Sequence, residues 1–108
     1  MELARKKCVP CEGGIAPLGQ AEAEAYLKQV DAGWSLAGGR IAREFRFRDF
    51  REAMSFVNKV AGIAEAEGHH PDIHIRWNRV RLEIFTHAIN GLHENDFIVA
   101  AKIDALLE

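Results

Sequence analysis

The sequence predicts an α+β fold: a four-stranded antiparallel sheet with helices packed on one face, in the order α-β-β-α-β-β-α. One observation is an amphipathic stripe at three- and four-residue steps over residues 50–64. Another is the strict alternation of apolar and polar residues after Pro71, and a third is the pair Gly38-Gly39 between two β-capable runs. Because short turns join consecutive strands, the sheet should be antiparallel. One apolar face per strand leaves the other face of the sheet partly open.

The composition is that of one small folded domain. The chain has 108 residues, of which 48% are hydrophobic and 28% charged, and its formal net charge is −2. This length suits a single hydrophobic core, and the apolar content excludes disorder. The balanced charge argues against nucleic-acid and membrane partners, and no stretch approaches the ~20 apolar residues of a membrane helix. No apolar segment follows the basic residues 5–7, so we expect no signal peptide and a cytoplasmic protein.

The first elements follow from glycines, prolines and helix formers. Residues 1–19 are predicted to be an N-terminal extension in a loop, because two prolines and a Gly-Gly pair interrupt that stretch. Residues 20–108 are predicted to form the single domain. Good helix formers predict a helix over residues 20–30. Short strands are then expected on both sides of the later glycine pair, over residues 34–37 and 40–47.

A long helix is predicted next, with Asp49 as its N-cap and Gly68 at its end. It is followed by a strand in which Ile73, Ile75 and Trp77 share one face. This alternation predicts that the Trp77 ring packs in the core rather than against a ligand.

The remaining elements complete the predicted order. Alternating residues over 79–85 predict the second strand of this hairpin, and the Asn90-Gly91 pair is predicted to break it. Either Asn95 or Asp96 is predicted to be the N-cap of the last helix, which runs to Leu107.

Two cysteines, Cys8 and Cys11, lie in the N-terminal extension in the order Cys-Val-Pro-Cys. One pair cannot staple a chain of this length as a disulfide scaffold would, and a structural zinc site usually needs four ligands. We interpret them as two thiols on a loose segment. A redox pair or a partial metal site is the alternative.

Histidines are concentrated in the second half of the chain, between residues 69 and 93. His69 and His70 stand where a helix ends and a strand begins, and His87 stands where the paired strand ends. Adjacent antiparallel strands bring the start of one beside the end of the other, so these imidazoles should lie close together. Neutral imidazole can accept or donate a proton near pH 7.

Two interpretations of this histidine cluster compete. Three histidines are enough for a metal site, but the spacing does not match His-Glu-x-x-His. The spacing therefore favours metal-free acid–base catalysis, with one imidazole donating a proton and another accepting it. We interpret His74, on the polar face of its strand, and His93, in a loop, as solvated surface residues.

These residues carry a resemblance to the pterin-4a-carbinolamine dehydratase family. It extends from about Trp34 to Leu107, and the stretch before residue 20 resembles the extended N-termini of some bacterial members. The pattern of this family is an acidic or similar residue, three spacers, His-His-Pro, an aromatic residue, a histidine and an aspartate. The matching positions are Glu65, His69, His70, Pro71, Trp77, His87 and Asp96.

The resemblance implies a hydro-lyase, which dehydrates 4a-hydroxytetrahydropterin to quinonoid dihydropterin in tetrahydropterin recycling. It implies that no metal or other cofactor takes part. By similarity, His69 and His87 are the acid–base pair and His70 assists in binding or transfer. The residues implied to bind substrate are Glu65, Pro71, Thr86, Ala88, Ile89 and Asp96.

Several of these positions also have simpler interpretations. Glu65 lies one turn before His69, so it can orient an imidazole, or it can belong to a solvated helix face. Asp96 can cap the last helix, or hold His87 or a neighbouring amide. In relatives the residue after Thr-His is often charged, whereas Ala88 stands here. The side chains of Ala88 and Ile89 therefore offer no polar group to a substrate.

The resemblance also implies partners. They are a small pterin, a functional link to an aromatic amino-acid hydroxylase, and further copies of the chain in a homodimer or homotetramer. Neither nucleic acid nor membrane is an expected partner. Animal members of the family also act as a dimerisation cofactor for a homeodomain transcription factor. The alternative function is therefore a protein-binding dimerisation cofactor or regulatory module of the same fold.

Overall fold

The computed structural model of the protein describes residues 2–11 and 13–107. The helices are α1 (Glu2–Arg5), α2 (Gln20–Leu27), α3 (Phe50–Glu67) and α4 (Glu94–Ala105), with a 3-10 helix at His87–Ile89. The strands are β1 (Ser35–Leu36), β2 (Ile41–Arg46), β3 (Asp72–Arg76) and β4 (Arg79–Ile84). From α2 to α4 the predicted order α-β-β-α-β-β-α is confirmed, and α1 and the 3-10 helix are additions to it.

The four strands form one antiparallel sheet in the order β1-β2-β4-β3. Gly38 and Gly39, at φ angles of 57° and 78°, form the predicted tight turn between β1 and β2. The second hairpin pairs Asp72 of β3 with Glu83 of β4. It therefore brings the residues before β3 beside those that follow β4, which is where the predicted site residues stand.

One face of the sheet packs against α3 and α4, and the other face is charged. Along β4, Val80, Leu82 and Ile84 are fully buried, whereas Arg79 and Arg81 are exposed. The predicted alternation of apolar and polar faces is thus confirmed for this central strand.

Among the described residues, no helix is long and apolar enough to cross a membrane.

Helix α3 begins and ends where its sequence predicts. The Asp49 side chain accepts a hydrogen bond from the backbone N–H of Glu52 at 2.9 Å, and Gly68 ends the helix in the left-handed conformation at φ 65°. The buried face differs in part from the predicted stripe: Phe56 is buried, whereas Ala61 and Phe50, the latter 49% exposed in the first turn, face solvent. The left-handed turn at Gly68 directs the chain from α3 toward β3.

Trp77 does not pack in the core, and this prediction is wrong. The residue occupies the two-residue turn between β3 and β4 with a φ of 49°, and it is 63% exposed. The strand ends at Arg76, so the alternation that assigned Trp77 to the core face no longer applies. This turn lies at the end of the hairpin opposite the predicted site residues.

The N-cap of α4 is His93, not Asn95 or Asp96. The ring nitrogen Nδ1 of His93 accepts a hydrogen bond from the backbone N–H of Asn95 at 3.0 Å. The helix thus begins at Glu94, and the prediction of His93 as a solvated loop residue is wrong as well. Asn95 and Asp96 lie in the first turn of α4 and are almost fully buried.

The N-terminal extension is not loop throughout. Its first residues form α1, with Leu3 buried in the core, and the Lys102 ammonium of α4 donates a hydrogen bond to the Ala4 carbonyl at 2.7 Å. The buried leucine and this hydrogen bond hold α1 against α4. The prediction of a loop is therefore wrong for Glu2–Arg5.

Candidate active site

A cavity of about 470 Å³ opens where the end of α3, the end of β4 and the 3-10 helix meet the N-terminal extension. Its volume lies within the range of about 300–1,000 Å³ typical of small-molecule sites. It is lined by Cys8, Val9, Pro10, Cys11, Glu67, Gly68, His69, His70, Phe85, Thr86, His87, Ala88 and Asn95.

His69 is the most enclosed imidazole of the cavity. Its side chain is 12% exposed, and its Nε2 lies 2.6 Å from Oδ1 of Asp96. Since a carboxylate accepts hydrogen bonds, Nε2 carries the proton in this contact. In the neutral imidazole, Nδ1 is then left unprotonated and can act as a base. The contact with Asp96 thus selects one tautomer and one ring orientation of His69.

Asp96 is fully buried in the first turn of α4. Besides the contact with His69, its Oδ2 accepts a hydrogen bond from the Thr86 hydroxyl and another from the backbone N–H of His93, both at 2.9 Å. Its position near the N-terminus of a helix favours the negative charge. With both oxygens engaged by protein groups, Asp96 holds His69 and Thr86 rather than facing the cavity.

His70 forms a second imidazole–carboxylate pair, but an exposed one. Its Nε2 lies 2.6 Å from Oε2 of Glu65, and the two side chains are 60% and 78% exposed. Glu65 therefore contacts the imidazole of His70, and not that of His69, the residue one helical turn after it from which the orienting role was predicted. Because solvent surrounds this pair, it constrains the His70 ring far less than Asp96 constrains His69.

His87 begins the 3-10 helix and is exposed to solvent. Its ring centroid lies 4.1 Å from that of Phe85. The guanidinium carbon of Arg40 lies 4.3 Å from the same Phe85 ring centroid. A bridge between Thr86 and Gly91 closes the loop that holds His87. Among the described residues, no hydrogen bond to the His87 ring is present, so its two nitrogens are available to a ligand.

The predicted site residues are thus partly assembled around one cavity. His69, His70, His87, Thr86 and Ala88 contribute to its lining, and the predicted closeness of the three imidazoles is confirmed. Within the described part of the chain, four predicted substrate-binding residues do not line the cavity. These are Glu65, which is exposed, Pro71 and Asp96, which are buried, and Ile89, which is half-buried.

The sequence did not predict that the N-terminal extension, Glu67 and Asn95 line the cavity. The only signal in the sequence was the Cys-Val-Pro-Cys motif, which we interpreted as loose. Burial, and after it the Glu67 carboxylate, raise the pKa of the Cys8 thiol to about 12, so this thiol stays protonated at neutral pH. The hydrogen bond from the Cys8 backbone N–H lowers the pKa of Glu67.

His74 lies outside the cavity, on the charged face of the sheet, with its Nε2 3.6 Å from Oε2 of Glu83. This agrees with its interpretation as a surface residue. Across residues 2–11 and 13–107, no group of three or more histidine, cysteine, aspartate or glutamate side chains is arranged to hold a metal ion.

Comparisons with known proteins identify one family. The family model described as pterin 4 alpha carbinolamine dehydratase matches residues 16–106. A protein of Nitrosomonas eutropha is 54% identical over 98% of this chain and 94% of its own length. One of Methylococcus capsulatus is 55% identical over 96% and 92% of the two chains. Both carry the provisional name pterin-4-alpha-carbinolamine dehydratase.

A solved structure has the same fold. It is described as a transcriptional coactivator/pterin dehydratase from Brucella melitensis and superimposes with a TM-score of 0.81 at 34% identity. The match covers 85% of this chain and 99% of that chain. Together with the family model, which spans most of the sequence, these relatives settle the family. The chain belongs to the pterin-4a-carbinolamine dehydratase family.

Proposed function

We propose that the protein dehydrates 4a-hydroxytetrahydropterin to quinonoid dihydropterin, by metal-free acid–base catalysis with His69 and His87. The observation that carries this proposal is the cavity shared by His69, His70 and His87, with His69 held by a fully buried carboxylate. Membership of the family supplies the pterin as substrate class.

The reaction requires two proton transfers and no change of oxidation state. A proton must reach the departing 4a-hydroxyl oxygen, so that water leaves, and another must be lost from a ring nitrogen of the pterin. Positioned imidazoles perform both transfers at neutral pH. A cluster of three imidazoles around one cavity therefore suits the chemistry without any further group.

His69 and His87 are suited to opposite parts of this exchange. His69 is enclosed, and its hydrogen bond to Asp96 leaves Nδ1 as its basic atom. The Asp96 carboxylate also stabilises the imidazolium that forms when Nδ1 takes a proton. His87 stands on the exposed side of the cavity, where its ring can exchange protons with solvent between turnovers. We assign the base to His69 and the acid to His87, with His70 binding or assisting transfer.

We also propose the partners of the protein. The substrate is a small pterin, delivered by an aromatic amino-acid hydroxylase, and the chain forms a homodimer or homotetramer. The exposed apolar side chains of Ile75 and Trp77, at one end of the sheet, support association of copies. Light scattering at micromolar concentration tests this assembly, and a monomer would contradict it.

The dehydration rate of 4a-hydroxytetrahydropterin, measured with and without the protein, tests the function. We expect acceleration over buffer that is unchanged by a metal chelator. Absence of acceleration would contradict the activity. Loss of acceleration on chelation, restored by zinc, would contradict the metal-free mechanism.

A further inference from the structure

We propose that residues 8–11, called here the N-terminal strap, form a wall of the substrate site and contact the bound reduced pterin, and that Asn95 positions them. This inference rests on the proposed function for the identity of the ligand. The strap supplies four residues of the cavity lining, which it shares with His87 and Ala88 of the 3-10 helix. The family pattern described above contains none of these four residues.

Asn95 binds the strap as a neighbouring β-strand would. Its side-chain oxygen accepts a hydrogen bond from the Val9 backbone N–H at 3.0 Å, and its amide nitrogen donates to the Val9 carbonyl at 2.7 Å. Asn95 is 2% exposed, so solvent does not compete for these bonds. Asn95 directly precedes Asp96, so one turn of α4 fixes both the strap and the His69 imidazole.

A second attachment lies at Cys8. Its backbone N–H donates to Oε1 of Glu67 at 2.8 Å, and its thiol lies 3.6 Å from the Asn95 carbonyl. Glu67 is the last residue of α3 and directly precedes the turn that leads to His69. The Cys8 side chain thus serves packing, and it is held beside the two elements that carry the histidine cluster.

The chain beyond the strap stays against the site. A Cβ placed on Gly13, whose φ is +90°, would lie 3.2 Å from the carbonyl oxygen of Ala88. Farther on, the Leu18 backbone N–H donates to the Leu92 carbonyl at 2.8 Å. The extension therefore runs from α3 and α4 past the 3-10 helix, and this course keeps the strap over the cavity.

The strap has the chemistry of a wall for a flat heterocycle. Val9 and Pro10 contribute apolar surface for a ring face, while the Cys11 thiol is a weak hydrogen-bond donor and acceptor. A ligand that contacts this wall is held in one orientation toward the imidazoles that line the same cavity. Since these contacts exist before and during the reaction, they should affect binding more than the chemical step.

The test compares Asn95→Ala with wild type, and uses Asn58→Ala on the exposed surface of α3 as the matched control. Calorimetry with 7,8-dihydropterin gives Kd, and the dehydration assay gives KM and kcat. Losing two hydrogen bonds to the strap should raise Kd and KM about 10-fold and leave kcat within about threefold. The Asn58→Ala variant should match wild type. A folded Asn95→Ala protein with unchanged Kd and KM would overturn the proposal.

Cysteine alkylation of the unaltered protein tests the wall without any substitution. Because the pKa of the Cys8 thiol is about 12, iodoacetamide at pH 8 should modify Cys11 and leave Cys8 intact, as located by mass spectrometry. Saturating 7,8-dihydropterin should slow Cys11 alkylation at least about fivefold. An unchanged rate at saturation would overturn the proposal, even where Asn95→Ala does not fold.

The two proposals fail in different ways. Wild-type protein that binds 7,8-dihydropterin without accelerating dehydration contradicts the proposed activity, and the Kd comparison still decides the role of the strap. Wild-type protein that binds no pterin contradicts both.

Discussion

Two buried carboxylates on the same helix, Asp96 and Asp104, serve different purposes. They lie eight residues apart on α4 and are 0% and 7% exposed. Asp96 accepts hydrogen bonds from Thr86, from the His93 backbone and from His69. Of these donors only His69 is an imidazole, the side chain that most often donates and accepts protons in acid–base catalysis. Asp96 therefore holds a side chain that can take part in proton transfer.

Asp104 is surrounded by donors that do not titrate near neutral pH. It accepts hydrogen bonds from the Trp34 indole at 2.8 Å, the Asp31 backbone N–H at 2.9 Å and the Arg43 guanidinium at 2.6 Å. It lies in the last turn of α4, where the helix dipole disfavours an anion. Burial raises the pKa of Asp104 even though these donors oppose the shift. Burial alone therefore does not mark a functional carboxylate, whereas the chemistry of its hydrogen-bond donors does.

The largest effect on stability should come from Asp104→Ala. The change removes the acceptor of the Trp34 indole N–H and the nearest carboxylate of the largely buried Arg43 guanidinium, which keeps the longer ion pair with Asp31 at 3.5 Å. This should cost about 3 kcal/mol of unfolding free energy. Urea denaturation measures this loss. The value of kcat/KM per folded molecule should stay within about twofold of wild type. A loss of activity beyond the folded fraction would show that Asp104 also serves the site.

The largest effect on the rate should come from His87→Ala. The ring is exposed, so its removal should cost under about 1 kcal/mol of stability, while a positioned acid or base contributes roughly 100-fold or more to the rate. Steady-state dehydration kinetics and urea denaturation separate the two readouts. His74→Ala is the control, because His74 lies on the charged face of the sheet, and its rate should be unchanged. If His87→Ala unfolds the protein, the residue is structural.

A smaller effect is expected for Glu65→Gln. The pair that Glu65 forms with His70 is mostly exposed, so its loss should change kcat/KM by no more than about threefold. The same dehydration assay measures it. A fall of 10-fold or more would mean that the exposed Glu65–His70 pair contributes as much to kcat/KM as the buried Asp96–His69 pair. Burial would then not separate the two carboxylates.

Glu67→Gln should have a modest effect on stability, and this effect depends on pH. The pKa of Glu67 is lowered in the folded protein, so its ionised form contributes stability above the unfolded value of 4.5, and this contribution is lost as the pH falls through the folded value. At pH 7 the variant should be less stable than wild type by about 1 kcal/mol. Urea denaturation from pH 7 downward should show the gap closing. A gap that widens as the pH falls would contradict the assignment.

Much of the fold was predictable, because its signals are local. Asp49 and Gly68 mark the ends of α3 in the sequence, and Gly38-Gly39 marks a turn that requires positive φ at both positions. Trp77 was not predictable from periodicity, since the alternation of a strand does not state where the strand gives way to its turn. The antiparallel pairing of β3 with β4 still brings His69, His70 and His87 to one cavity, as hairpin geometry predicts.

The rest of the site depends on contacts between distant segments. Nothing in the local sequence shows that Asn95 binds the backbone of Val9, 86 residues away, or that Glu67 binds that of Cys8. The role of Asp96 is also undecided by the local sequence, because its position suits both the capping of a helix and a hydrogen bond to an imidazole. His93 takes the N-cap, and Asp96 joins it in capping α4 while also holding His69.

The catalytic role of Asp96 is tested by comparing kcat/KM of Asp96→Asn with that of Asp104→Asn, each corrected for the folded fraction. A neutral amide in place of the Asp96 carboxylate cannot supply the charge that holds and supports the His69 imidazole. We therefore expect a fall of about 10- to 100-fold, as for partners that orient metal-bound imidazoles. Asp104→Asn should stay within about twofold. Equal losses in the two variants, or no loss in either, would contradict the claim that Asp96 serves catalysis through His69.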